Sequence, residues 1–310
     1  MARFIVGRIV ALVATLLVAS FLVFAALYIA PGDPATLLAG SRAKPEVIEQ
    51  IRIQNNLDKP LLTRYGMWLK DFLHGDLGRS FIHRQDVTEL LAPRAATTVF
   101  LVVFSAVLII VVGIGLGIIG ALRRRLGVVT TVLTALGMAV PVFVAAIVLI
   151  TVFAVELGWF PVFGAGKGFL GRLRHTTLPA IALAMPFLAY MAQITKASLR
   201  EEMSREHVET ARSRGIPGSL IIRRHVFRNA LIPVTTVAGL SVAGLIAAAV
   251  VVETGFGLGG LGSLLVQSAA QKDFAVVQAI SMILVAAFVI ANAVVDLLNG
   301  LLDPRLRPGK

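Results

Sequence analysis

The residues able to do chemistry in this chain are few, and nearly all of them lie between long apolar runs rather than inside them. Five histidines occur (His74, His83, His175, His207 and His225), none within such a run and no two at metal-ligand spacing on one helix. Cysteine is absent, which excludes disulfides and thiol chemistry. A hydrolase working inside a membrane needs a nucleophile with its base, or metal ligands, at bilayer depth. The pattern therefore points away from an enzyme, with no catalytic residue, metal site or bound cofactor expected. Gly164-Ala165-Gly166-Lys167-Gly168 looks like a phosphate loop at first sight. The G-x-x-x-x-G-K-[ST] pattern requires glycine at position 161 and a hydroxyl at 168, where this chain has Pro161 and Gly168. No ATP-hydrolysing site of its own is expected. Asp296 is the single acid inside a long apolar run, which makes it a functional candidate by default. It sits near the end of its run, beside Asn299, so a structural or gating contact is favoured over ion coupling.

The longest polar stretch outside the first loop is Arg200 to Pro233. Counted from Lys196 it holds eight Lys/Arg against four acids (Glu201, Glu202, Glu206 and Glu209), so it is a basic island between apolar runs. Two helical patterns, Ser204 to Arg214 and Leu220 to Asn229, are separated by Gly215, Pro217 and Gly218, and Pro233 opens the next apolar run. Nothing here supports acid–base or nucleophilic chemistry. A short amphipathic helix in this setting has two uses: to lie among lipid headgroups held by arginines, or to fit a groove in a partner and transmit its motion.

The elements around this stretch set its position. At 310 residues the chain is 57% hydrophobic and only 15% charged, with mean hydropathy +0.87, and the apolar residues gather into runs of about 20 or more. That is an all-α polytopic membrane protein with six spans: Ile9–Ala30, Thr97–Leu122, Val128–Val155, Leu178–Leu199, Ile232–Val252 and one within Phe274–Leu302. The first is longer than a signal-peptide core and ends in Pro31-Gly32-Asp33-Pro34, so it reads as a retained span. The net charge of +12 would suggest nucleic acid in a soluble protein, but here its placement follows membrane orientation. With both termini inside, sixteen Lys/Arg face the cytoplasm against five acids, while nine of the thirteen outside sit in the long first loop, where the rule has little force. Residues 200–233 are then cytoplasmic. The chain divides into 1–30 (first span), an external loop subdomain 31–94, and a core 95–310. In the external loop, Pro45–Asn56 and Leu61–Phe72 read as helices, the second with Tyr65, Trp68 and Phe72 on one face. That face suits a membrane surface or a partner. Gly113 and Gly117 form a G-x-x-x-G pair for close helix packing, and Glu253 to Asp273 reads as a glycine-rich loop.

Glu209-Thr210-Ala211-Arg212-Ser213-Arg214-Gly215 resembles the E-A-A-x-x-x-G loop of ABC-transporter permeases, with Thr210 in place of the first alanine. Arg228-Asn229-Ala230-Leu231-Ile232-Pro233 resembles the end of that loop in the peptide/nickel importer branch. Pro31 to Pro34, Leu57 to Leu61, Gly75 to Ser80, Leu157 to Pro161, Glu253 to Phe256, Gly260 to Gly262 and Leu301 to Arg305 resemble the same branch, in the same order. The resemblance implies a type I ABC-importer permease, the first of two membrane subunits, in the cell membrane. Its implied partners are a second homologous permease, two ATPase subunits that bind ATP, and an external substrate-binding protein. It also implies that Glu206, Glu209, Thr210, Ala211, Arg214, Gly215 and Pro217 form the ATPase-coupling loop. There Glu209 would fix the loop by ion pairs or capping, Ala211 would let the partner approach, and Gly215 would permit the turn. Glu253, Gly255 and Asp296 are the expected gate or packing positions. Di- or oligopeptide is the expected cargo, with nickel, glutathione or another small solute as alternatives. The readings outside this class are an ion-coupled secondary transporter, for which no internal repeat or coupling-ion residue is visible, and a membrane scaffold.

Overall fold

A computed structural model describes residues 2–29, 34–39, 43–80 and 82–302. The described residues are helical apart from connecting turns and one isolated bridge between Arg79 and Asp86. This follows from the apolar runs, because a segment in lipid can satisfy its backbone groups only within its own helix or a closed barrel. The helices in order are α1 (Ala2–Ile29), α2 (Pro34–Ala39), α3 (Pro45–Gln54), α4 (Leu61–Leu73), α5 (Val87–Leu108), α6 (Ile114–Leu122), α7 (Arg124–Ala139) and α8 (Val142–Leu149). They continue with α9 (Gly168–Met203), α10 (Glu206–Ser213), α11 (Gly218–Ile221), α12 (Phe227–Gly255), α13 (Leu261–Ala270) and α14 (Phe274–Leu302). Wider π turns join α5 to α6, extend α8 to Glu156, and join α11 to α12. Among the described residues five helical segments are long and apolar enough to cross a bilayer, and α7 with the extended α8 passes the same test as a bent pair, which brings the number to six when the pair is counted as one span.

That sixth span is not straight. Its halves meet at 102° around Val140 and Pro141. The proline ring pushes the residue before it out of the helical region, and Val140 is extended at φ −81°, ψ 119°. Other boundaries also move. The second span begins at Val87 as α5, so the division expected at residue 94 falls inside a helix. The fourth span begins at Gly168, ten residues before the expected Leu178. The second helix expected in the polar loop is continuous with the fifth span, so Pro233 lies inside α12 instead of opening it. The expected glycine-rich loop 253–273 contains α13.

α9 is the centre of the bundle and packs against α5, α6, α7, α8 and α12. Gly113 and Gly117 bring their helix close to it: a Cβ on Gly117 would collide with Thr195 and the Ala192 carbonyl. Leu178, Leu183 and Met191 of α9 bury with Leu101, Ile109, Leu245 and Phe256 as the main core. A second cluster joins Leu90 and Leu91 of α5 to Leu264 of α13 and Ile280 of α14. α4 contacts α1, and its aromatic face packs on the first span. Tyr65 Oη is 2.7 Å from Ser20 Oγ, and Tyr65, Trp68 and Phe24 interleave. Arg64 stacks 5.2 Å over Tyr28; burial lowers its pKa, and Tyr28 opposes the shift. The Gly75–Ser80 segment docks elsewhere, through a 2.5 Å hydrogen bond from Ser80 Oγ to the buried Asp273 Oδ2.

Candidate functional site

Residues 200–218 form a small lobe at one end of the bundle. Helix α10 starts after the extended Arg205 and carries Glu206 and Glu209 in its first turn and Arg212 in its last, the arrangement that complements the helix dipole. Its inner face is Val208 and Ala211, which bury against Ala121, Leu199, Ile221, Val226 and Ala230. Glu206, Glu209, Thr210, Arg214, Gly215 and Pro217, six of the seven expected coupling residues, are all exposed. Ala211 is the exception. It is 6% exposed and faces the chain's own core, so its small size lets α10 approach the bundle and does not serve a partner. Gly215 ends α10 at φ +75°, the left-handed region that glycine enters without penalty. Its N–H donates to the Arg212 carbonyl, and Ile216 N–H to Ala211.

Glu209 makes no ion pair among the described residues, so no ion pair from it anchors the loop. The anchor is Glu202, which sequence reading placed in the loop but gave no role. Its side chain is 5% exposed at the end of α9. It accepts from Arg205 Nε at 2.9 Å and Asn229 Nδ2 at 2.7 Å, with His207 Nε2 at 3.2 Å. One carboxylate thus ties α9, the start of α10 and the start of α12 together. The available signal was spacing: an acid three residues before Arg205, on the face of Leu199.

α12 carries this lobe to the opposite end of the bundle, about 44 Å away along its 29 residues. There Glu253, 0% exposed, is held by three donors: Thr98 Oγ1 at 2.5 Å, Gly262 N at 2.7 Å and Ser263 N at 3.1 Å. Thr98 also accepts the Leu261 N–H at 2.8 Å. Glu253 therefore caps the N-terminus of α13 and links α5, α12 and α13. The expected gate residue Glu253 is at a real junction. Gly255 is not tightly packed: a side chain there would meet open space. The glycines that the site requires are Gly260, where a Cβ would overlap the Glu253 carboxylate, and Gly262, where it would overlap the Val250 backbone. Asp296 lies on α14, and its side chain is outside the described residues. Asp303 to Arg305 and Pro31 to Asp33, used in the resemblance, also lie outside them.

The chain is thus a multi-span helical bundle bearing a braced surface helix, and its described residues include no group of His, Asp and Glu that could hold a metal ion. Residues 113–308 match the family described as the binding-protein-dependent transport system inner membrane component, and residues 1–102 match its N-terminal companion family. A protein from Brucella abortus strain 2308 described as a putative peptide transport system permease is 39% identical over 312 residues, covering 99% of each chain. The glutathione transport system permease GsiC of Escherichia coli K12 is 35% identical over 309 residues, again with 99% of each chain covered. In fold, the chain is similar to an inward-facing MetNI methionine ABC transporter structure, with TM-score 0.54 and 18% identity over 70% of this chain and 97% of that one. The chain belongs to the binding-protein-dependent transport system inner membrane components, and is an ABC-importer permease of the peptide/oligopeptide family.

Proposed function

We propose that this chain is one of two homologous membrane subunits of an ATP-driven importer of di- or oligopeptides, with its termini and α10 on the cytoplasmic side. Two ATPase subunits bind the permease loops, and an external binding protein delivers the cargo. The observation that carries this reading is the two-faced α10: an inner face locked to the bundle by Val208, Ala211 and Glu202, and an open outer face formed by the remaining loop residues. A helix free on both faces would absorb a partner's motion. One braced on its inner face passes that motion to α9 and α12. In this mechanism ATP-driven closure of the ATPase pair moves α10, α9 and α12 tilt, and the Glu253 junction at the far end changes its packing. The peptide reading is supported by relatives named for peptide transport; those named for glutathione support a small peptide-like solute as the second reading.

The absence of native cysteine makes the test direct. A Thr210→Cys variant, assembled with its ATPase carrying a single surface cysteine, is expected to cross-link in a nucleotide-dependent way. Cross-linking of the introduced thiol to the external binding protein, or unimpaired uptake after α10 is disrupted, would overturn the coupling role. Labelling the Thr210→Cys variant with a membrane-impermeant maleimide in whole cells and in inverted vesicles reads the orientation.

A further inference from the structure

Beside the coupling lobe, α7 and α9 form an open pocket of about 410 Å³ lined by Gly127, Val128, Thr131, Val132, Lys196 and Arg200. Its two cations lie one turn apart on α9, a like-charge spacing that destabilises a helix unless something compensates. Among the described residues no carboxylate does so. Lys196 and Arg200 have no ion pair among the described residues, and the neighbouring acids Glu201 and Glu202 are both engaged by Arg205. Instead the cations are positioned by neutral oxygens. Lys196 Nζ donates to the Gly127 carbonyl at 2.5 Å and to Thr131 Oγ1, and Arg200 Nη2 donates to the Gly120 carbonyl at 3.0 Å. Gly127 makes room for this, since a Cβ there would stand 2.7 Å from Arg200 Nη2. One ammonium donor and most of the guanidinium fork remain for a ligand. Arg123 and Arg125, both exposed in the adjoining turn, add positive charge. The other wall is apolar and open, with Val128 68% and Val132 53% exposed.

Oriented, unneutralised cations at the end of the spans, next to exposed valines on an apolar helix, match one kind of ligand in both its parts. The geometry points to a binding site for an anionic phospholipid, its phosphate on Lys196 and Arg200 and its acyl chains along Val128 and Val132. The site lies at the same end of α9 as Glu202, so an occupied headgroup stiffens the element that braces α10. The placement of this lipid in the cytoplasmic leaflet rests on the orientation proposed above; the site itself does not.

The test uses the full chain in its transporter complex, purified in detergent and titrated with phosphatidylglycerol or phosphatidylcholine under native mass spectrometry. The Lys196→Gln/Arg200→Gln variant keeps N–H donors for the Gly120 and Gly127 carbonyls and removes both charges. Phosphatidylglycerol is expected to bind the parent complex in preference to phosphatidylcholine, and to bind the double variant about 25-fold more weakly, roughly fivefold for each cation. Lys196→Arg is expected to retain binding, which separates lost charge from lost fold. Equal binding of the two lipids, or undiminished phosphatidylglycerol binding by the double variant, would overturn the site. Displacement of the lipid by inorganic phosphate would show a free-phosphate site instead. Loss of the second permease from the variant complex would show a subunit interface. The orientation is read independently by the maleimide experiment, so its failure is distinguishable from failure of the lipid site.

Discussion

Replacing Glu253 tests whether a buried carboxylate locks the far end of α12. In Glu253→Ala three donors lose their acceptor: the Gly262 and Ser263 N–H groups and the Thr98 hydroxyl. An orphaned buried donor costs about 1–3 kcal/mol. Gly262 takes the larger share, whereas Ser263 is only partly buried and Thr98 can turn toward the Arg94 carbonyl at 3.4 Å. The loss is therefore about 4 kcal/mol, reduced by the desolvation cost that a buried carboxylate no longer carries. Glu253→Gln costs less, about 1–2 kcal/mol, because the amide oxygen accepts both N–H groups and its NH2 donates to Thr98 Oγ1. The decisive comparison involves Gly260, where the three atoms nearest to an added Cβ all belong to the Glu253 carboxylate. Gly260→Ala in the parent chain is expected to destabilise strongly. In the Glu253→Ala background the carboxylate is gone, and the added methyl is expected to be tolerated or to recover part of the loss. Equilibrium unfolding in mixed micelles across the four-member cycle measures this coupling. Additive losses, or an Ala variant as stable as Gln, would refute the claim that the carboxylate holds α5, α12 and α13 together.

Three further outcomes follow from the same geometry. Gly215→Val adds a side chain into open space, so its cost is backbone strain of about 1–2 kcal/mol, and Gly215→Asn costs less; uptake is expected to fall more than ATP hydrolysis, and equal uptake by Val, Asn and parent chains would count against the turn. Glu202→Ala releases Arg205, His207 and Asn229 together and is expected to loosen α10, seen as faster proteolysis between residues 204 and 218 with the spans intact; unchanged cleavage would remove Glu202 as the anchor. Ser80→Ala removes the donor to Asp273 Oδ2 and is expected to cost about 2–3 kcal/mol, with Asp273→Asn recovering part of it by removing the buried charge; no recovery in the double variant would show that the charge is not the cost.

Much of the architecture was legible because the bilayer enforces it. An apolar run of sufficient length must be a helix, whatever its neighbours, so the spans and the polar island at 200–233 could be read without tertiary information. The helices α3 and α4 of the first polar loop were legible too, from Pro45 at a helix start and the aromatic spacing along Leu61 to Phe72. The boundaries were less so. Hydropathy marks where polar residues begin, but α5 and α9 continue through polar turns at Glu89, Arg94 and Arg172, held there by packing that hydropathy does not register. The merging of α11 into α12 was hidden by Pro233, which ends a helix in water but is accommodated in a packed span.

At the site, residue identity alone determined that the chain has no phosphate loop, that its long polar stretch holds a short helix ended by glycine, and that its segments resemble an importer permease. Those conclusions rest on local chemistry: the phosphate pattern needs a hydroxyl at 168, and a sharp turn favours Gly215. Only the tertiary structure decided which face of α10 is free, that Ala211 points inward, and that Glu202, not Glu209, holds the loop. It alone brought Thr98 to Glu253 across 155 positions, and Lys196 to Gly127 across 69. The reason is physical. A buried charge takes its meaning from donors that arrive on other helices, and no spacing along a single helix specifies which helices will meet.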